Sequence, residues 1–217
     1  MAFANYPAGL SPAENRSGNP WNQQAHLYYI AQTDTAQYAL GDIVKLATGS
    51  DPDGVSQVTK TVTPATDVPV GVIVGIRVAD PGVSLQGPDL TLAVIQIPAT
   101  KTRGYYVYVV DDPDVIFEVP SDLVTIANLL NSVTAPTSLI AANKNASYII
   151  NNPVGNSPFS GTVLSTASIA TTSTLPLKII GMQVRPDNLL TNPLNSIPVR
   201  LRVAFNVHAF LGNQAGV

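Results

Sequence analysis

Residues 105–119 read Tyr-Tyr-Val-Tyr-Val-Val-Asp-Asp-Pro-Asp-Val-Ile-Phe-Glu-Val. Two runs of aromatic and β-branched residues, Tyr105–Val110 and Val115–Val119, flank Asp111-Asp112-Pro113-Asp114. The flanks pack well on a pleated, half-buried surface. The centre favours a turn, because Asp bonds its own backbone and Pro fixes φ. The stretch therefore predicts a β-hairpin.

Outward from it the same signal repeats. Val199–His208 alternates strictly, with Val199, Leu201, Val203, Phe205 and Val207 on one face and Arg200, Arg202, Asn206 and His208 on the other. That is the pattern of a half-buried antiparallel strand. Val68–Val78 is β-branched and apolar throughout, as suits a strand buried on both faces or bent at Gly71 and Gly75. Ile43–Leu46 and Leu90–Ile97 read as strands, Val55–Val62 alternates weakly, and Asp51-Pro52-Asp53-Gly54 has turn chemistry.

Eighteen prolines are spread along the 217 residues, with the longest proline-free run at Trp21–Asp51. Each proline inside a helix costs roughly 3 kcal/mol, so a helical bundle is excluded. One short helix is expected, with Ser121 as N-cap and Leu123, Ile126, Ala127 and Leu130 at helical spacing. Ten of the eighteen residues of Ser157–Thr174 are Ser or Thr, which predicts a loop or exposed edge ribbon rather than core.

The expected fold is all-β: an antiparallel β-sandwich, jelly-roll or β-barrel with at most one or two short helices. Residues 1–20, with Pro7, Gly9, Pro12, Gly18 and Pro20, read as an extended N-terminal arm. Residues 21–217 read as a single β domain, with 121–174 a variable helix- and loop-rich insertion.

Composition narrows function. Eleven basic against fourteen acidic residues give a net charge of −3, no field for nucleic acid. Charged residues are 12%, about half the ordinary ~25%. So bare a surface suits a protein largely covered within an assembly. The opening MAFANYPAGLSPAENR lacks the basic and apolar regions of a secretory leader. No apolar run is long enough for a membrane helix; the most apolar, Val68–Val78, has eleven residues. The absence of cysteine removes thiol nucleophiles and Cys-ligated metals.

The catalytic candidates are sparse. His26 and His208 have no ligand or triad partner at close spacing, and His208 is expected on a polar face. There is no G-x-S-x-G elbow, no P-loop and no G-x-G-x-x-G. The only glutamates are Glu14 and Glu118, one in the arm and one in a strand. The Asp-rich turns at 51–54 and 111–114 lack the acid that would complete a calcium loop, for position 12 from Asp51 is Val62. Tyr105, Tyr106 and Tyr108 are either a sugar-stacking platform or ordinary packing. No catalytic residue, cofactor or metal ligand is assigned.

Five segments, in order along the chain, resemble tailed-bacteriophage structural proteins, closest to the capsid decoration or cement proteins of podovirus-like phages. They are GDIVKLATGSDPDGV (41–55), VPVGVIVGI (68–76), YYVYVVDDPDVIFEV (105–119), LPLKIIGMQVRPDN (175–188) and RVAFNVHAF (202–210). The resemblance implies a non-enzymatic β domain on the outer surface of the virion capsid. It would bridge neighbouring major capsid protein subunits and associate with itself as a dimer or trimer, without nucleic acid, membrane or small-molecule substrate. Phe3, Tyr6, Leu10 and Trp21 are the candidate contacts with the capsid or a neighbouring chain. The alternative is a carbohydrate-binding or adhesion module of a phage tail or fibre.

Overall fold

The computed structural model describes residues 9–78, 96–122, 124–153, 155, 157–186, 188–190 and 198–211. The chain is all-β and mainly antiparallel. Five strands close a barrel in the order β2 (His26–Ile30), β5 (Ser56–Lys60), β4 (Ile43–Ser50), β6 (Gly71–Val78), β8 (Tyr105–Val110). All its pairings are antiparallel except β2 with β5. Five more form a sheet in the order β1 (Ser11–Asn15), β9 (Val115–Pro120), β14 (Arg200–Phe205), β13 (Leu177–Met182), β10 (Asn145–Ala146). Two small ribbons are also present: β3 (Tyr38–Ala39) with β7 (Gln96–Ile97), and β11 (Tyr148–Ile149) with β12 (Val163–Leu164).

Two buried clusters hold these layers together. One fills the barrel with Tyr28, Ile30, Val44, Val58, Ile73, Val107 and Val109. The other lies between barrel and sheet: Ile43, Val72 and Val110 from the barrel wall meet Val115, Phe117, Val119, Leu201, Val203 and Phe205. Alternate residues of β4 and β6 thus enter different cores, which is why 68–78 is apolar without a polar face. Phe117 and Phe205 meet edge to face, ring centres 5.4 Å apart, at the heart of the second cluster.

The expected hairpin at 105–119 is not one. β8 pairs with β2 and β6 in the barrel, while β9 pairs with β1 and β14 in the sheet. Asp111–Asp114 is still a tight turn, with the Asp114 N–H donating to Asp112 Oδ1 at 2.9 Å. It passes the chain from one sheet to the other. Each strand has two neighbours other than its partner across the turn, and all six residues of β9 are buried.

Other expectations are also corrected. The arm does not extend to residue 20. Residues 9–20 belong to the fold, with Leu10 in the inter-sheet core and β1 as an edge strand on β9. Residues 1–8 lie outside the described residues, as does most of the strand expected at 90–97. Helix α1 (Ile126–Leu129) starts later than read, after Thr125. Ser121 caps nothing; it is buried, and its N–H donates to the Val199 carbonyl at 2.9 Å.

The Ser/Thr-rich stretch is largely loop, as read, and exposed at 171–174, but part of it enters the core: Ser160, Thr162 and Thr166 are buried, bonded to Asp42, to each other and to Asp122. The 121–174 segment also gives Leu129, Leu130, Ala146, Tyr148 and Leu164 to the inter-sheet core. His208 is buried rather than on a polar face, because β14 ends at Phe205 and the chain bends before the alternation reaches it.

Candidate functional site: an uncharged aromatic groove

Where β1 meets the barrel wall, an open groove of about 650 Å³ runs between them. Its walls are set by backbone close approach. Gly9 (φ +96°) and Gly41 (φ +88°) both use the left-handed region and pack against each other. A Cβ on Gly9 would lie 2.9 Å from the Gly41 carbonyl oxygen and from Ser160 Cβ. The contact is fastened by the Leu10 N–H on the Gly41 carbonyl at 3.0 Å and the Gly9 N–H on the Thr162 carbonyl at 2.9 Å.

Three aromatic side chains line the groove. Trp21 follows the hairpin that turns back on β1, where its N–H donates to the Ala13 carbonyl at 3.2 Å and its Nε1 to the Gln24 carbonyl at 3.3 Å. Tyr108 stands on the outer face of β8, its ring 3.1 Å from where a Gly75 Cβ would be. Phe159 is held by a bridge to Leu40. Tyr108 and Phe159 are 39% and 41% exposed. Gln23, at φ +65°, lines the same groove; a non-glycine residue there is strained, and such strain collects at functional sites. None of the described lining residues carries a charge.

Of the candidate contacts, Leu10 and Trp21 both line this groove, although Leu10 is 2% exposed and serves mainly the chain's own core. Phe3 and Tyr6 fall outside the described residues. The sequence reading missed Gln23 and Phe159. Nothing in sequence marks Gln23, but Phe159 is the one aromatic in the Ser/Thr-rich stretch. The three tyrosines form no shared platform: Tyr105 packs on the barrel core, and Tyr106 is buried with its hydroxyl on Asp51.

Several other polar groups are committed to structure. Asp51 Oδ1 accepts the N–H groups of Asp53 and Val55, and Oδ2 accepts the Tyr106 hydroxyl. Asp111 accepts the Tyr28 hydroxyl at 2.7 Å and pairs with His26 Nδ1 at 2.7 Å. Burial and the neighbouring Asp111 push the Tyr28 hydroxyl far above its ordinary range, so it stays a phenol. Glu14 pairs with Arg202, and Glu118 with Arg185 at 2.8 Å. A second, smaller cavity of about 400 Å³ has Lys60 on its wall. The ammonium there already donates to the Gln37 carbonyl, Asp42 and Asn152. Ser160 donates to the same Asp42 but is 1% exposed, which leaves a substrate no path to its hydroxyl.

Compared with family models, curated proteins and solved structures, the chain matches none.

Proposed function

We propose that this chain is a virion structural protein that decorates the outside of a mature phage capsid and cements adjacent major capsid subunits, acting by binding alone. The observation that carries the reading is the uncharged aromatic groove on a chain with 12% charged residues. Exposed aromatic rings around an apolar trough are the makings of a protein contact. The resemblance of residues 41–55, 68–76, 105–119, 175–188 and 202–210 to phage decoration proteins supplies the kind of partner. A ligand that binds only the mature lattice stabilises it by mass action, and a dimer or trimer would add multivalency. No step needs a cofactor or bond chemistry.

Copy number tests the proposal. In density-banded virions, quantitative mass spectrometry normalised to the major capsid protein should give one copy per capsid subunit or a simple fraction of it. A dozen or fewer copies per particle would move the chain to a tail or fibre, and absence from the particle would end the proposal.

The second reading, a carbohydrate-binding module, is favoured by one observation: Trp21, Tyr108 and Phe159 line a trough beside the Gln23 amide. Binding on a glycan array that is lost in Trp21→Ala would make it the leading one.

A further inference from the structure

We infer that Lys60 and Asn152 are built to join covalently, in an intramolecular isopeptide bond between the barrel and the loop that links β11 to β12, with Asp42 as the proton carrier. The inference is independent of the cement reading and concerns a different part of the molecule from the aromatic groove.

Three groups meet at one point. Lys60 ends β5, Asp42 directly precedes β4, and Asn152 lies between β11 and β12. The Lys60 Nζ donates to Asp42 Oδ2 at 2.9 Å, to the Gln37 carbonyl at 3.0 Å and to Asn152 Oδ1 at 3.5 Å. The amine is thus aimed both at a carboxylate that can take its proton and at a carboxamide that it can attack. Lys60 is 4% exposed and Asp42 0%, which shuts the pair off from bulk water. Burial raises the Asp42 carboxyl above its ordinary range, against the Lys60 charge and the hydrogen bonds from Ser160, Lys60 and the Ala39 N–H. A carboxyl so placed accepts the Lys60 proton readily, and the amine left behind is a nucleophile.

The loop holds Asn152 in place. The Gly161 N–H donates to the Asn151 carbonyl at 3.1 Å, and Asn151 Nδ2 to the Gly161 carbonyl at 3.0 Å. An asparagine side chain ordinarily reacts with the backbone nitrogen of the next residue, but here that residue is Pro153, which has no N–H. The Asn152 carboxamide is therefore left for another amine, and that of Lys60 stands within reach. Holding the two together in the folded chain replaces a bimolecular encounter.

The step balances without an outside reagent. One Nζ proton passes to Asp42, and rotation about Cε–Nζ turns the freed lone pair toward Asn152. Nζ attacks Cγ, the Cγ–Nδ2 bond breaks, and Nδ2 takes a second Nζ proton to leave as ammonia. The third stays on the new amide nitrogen. The proton on Asp42 departs with the ammonia as ammonium, which restores the carboxylate. Nothing is oxidised or reduced. Asn152 is exposed and lines the cavity of about 400 Å³ together with Lys60, which gives the ammonia its way out.

Intact mass spectrometry of the purified, folded full-length chain tests the inference. Its mass should fall below the sequence mass by one ammonia, and a digest should contain one branched peptide joining Lys60 to Asn152. Asn152→Ala keeps the Lys60–Asp42 ion pair and should show its full sequence mass. The parent, closed into a loop, should run faster than Asn152→Ala on a denaturing gel. Lys60→Arg should also show its full sequence mass. Circular dichroism verifies folding, and Asn152→Ala, at an exposed position, carries the comparison if Lys60→Arg does not fold. A full sequence mass for the folded parent after prolonged incubation at neutral pH would overturn the inference. So would a mass lower by one water, which would place the bond on Asp42. An ammonia loss that persists in Asn152→Ala would overturn it too, since the reacting amide would then lie elsewhere.

Discussion

Lys60 is 4% exposed and Asp42 0%, and they pair at 2.9 Å. Asp42 also accepts the Ser160 hydroxyl and the Ala39 N–H, so the carboxylate ties β4, β3 and the Ser/Thr-rich segment to one point. Removing one partner of a buried pair strands the other's charge, at a cost of about 3–5 kcal/mol. Lys60→Met and Asp42→Asn should each lower the unfolding free energy measured in urea by an amount of that order. The double variant should cost less than the sum, since the two groups are coupled; simple additivity would show that the pair contributes nothing as a pair.

His208 makes a different prediction. Its Nδ1 accepts the Phe210 N–H at 3.1 Å, and its ring packs against Phe205 and Phe210. Burial holds the imidazole below its ordinary value, with the Val70 backbone, Asp111 and Asp112 opposing only in part. The neutral ring's contribution is complete above about pH 6.5, the unfolded value. It is lost as pH falls from there through the folded value, because the unfolded chain binds the proton first. Urea unfolding from pH 7.5 downward should show this decline, and His208→Phe should remove it. A second decline below about pH 4 belongs to Asp34 and Asp67. Burial tends to raise both carboxyls, but hydrogen bonds from Tyr38, the Ala36 N–H and Thr59 to Asp34, and from Lys45 and the Thr63 and Val62 N–H groups to Asp67, hold both below the ordinary range.

Among the elements, β1 decides where the N-terminal segment ends. It covers β9 with Ser11 opposite Glu118 and Asn15 opposite Val115, and it carries Leu10 into the core. Removing 1–20, which takes away β1 and Leu10, should therefore abolish cooperative unfolding. Gly9→Ala tests the same join at one atom. It forces a Cβ to 2.9 Å from backbone at positive φ, and should cost on the order of 1–3 kcal/mol in urea unfolding. If Gly9→Ala unfolds like the parent, the glycine contact does not hold the groove wall.

The β character of these elements was legible in Tyr105–Val119 and Val199–Phe205, because period-two patterning is local. Their pairing was not. A turn such as Asp111–Asp114 reads the same whether its strands pair with each other or with strands far along the chain. Ser160 and Thr166 were misread for a related reason: a hydroxyl is buried only when a partner is buried beside it. Those partners, Asp42 and Asp122, lie 118 and 44 residues away. A small part of the groove was visible, in Leu10 and Trp21. The rest depends on Tyr108 and Phe159 converging from separate elements.

At the scale of the molecule, many of the charges are paired where they stand. Among the described residues at least six Lys and Arg side chains sit in ion pairs: Arg16–Asp114, Lys45–Asp67, Lys60–Asp42, Lys101–Asp34, Arg185–Glu118 and Arg202–Glu14. With a net charge of −3 and no charge among the described residues of the groove lining, little field reaches outward from it to steer or hold a partner. Binding through the groove must then come from buried apolar area, which added salt does not screen. In the cement reading, affinity for mature shells should be nearly flat from low to high sodium chloride. Trp21→Ala should weaken it by about 2 kcal/mol or more, roughly thirtyfold, at every salt concentration, as a central aromatic anchor does. Sedimentation of purified shells with added protein measures both. Affinity that collapses with salt while Trp21→Ala binds like the parent would place the contact on a charged face of the molecule, away from the groove.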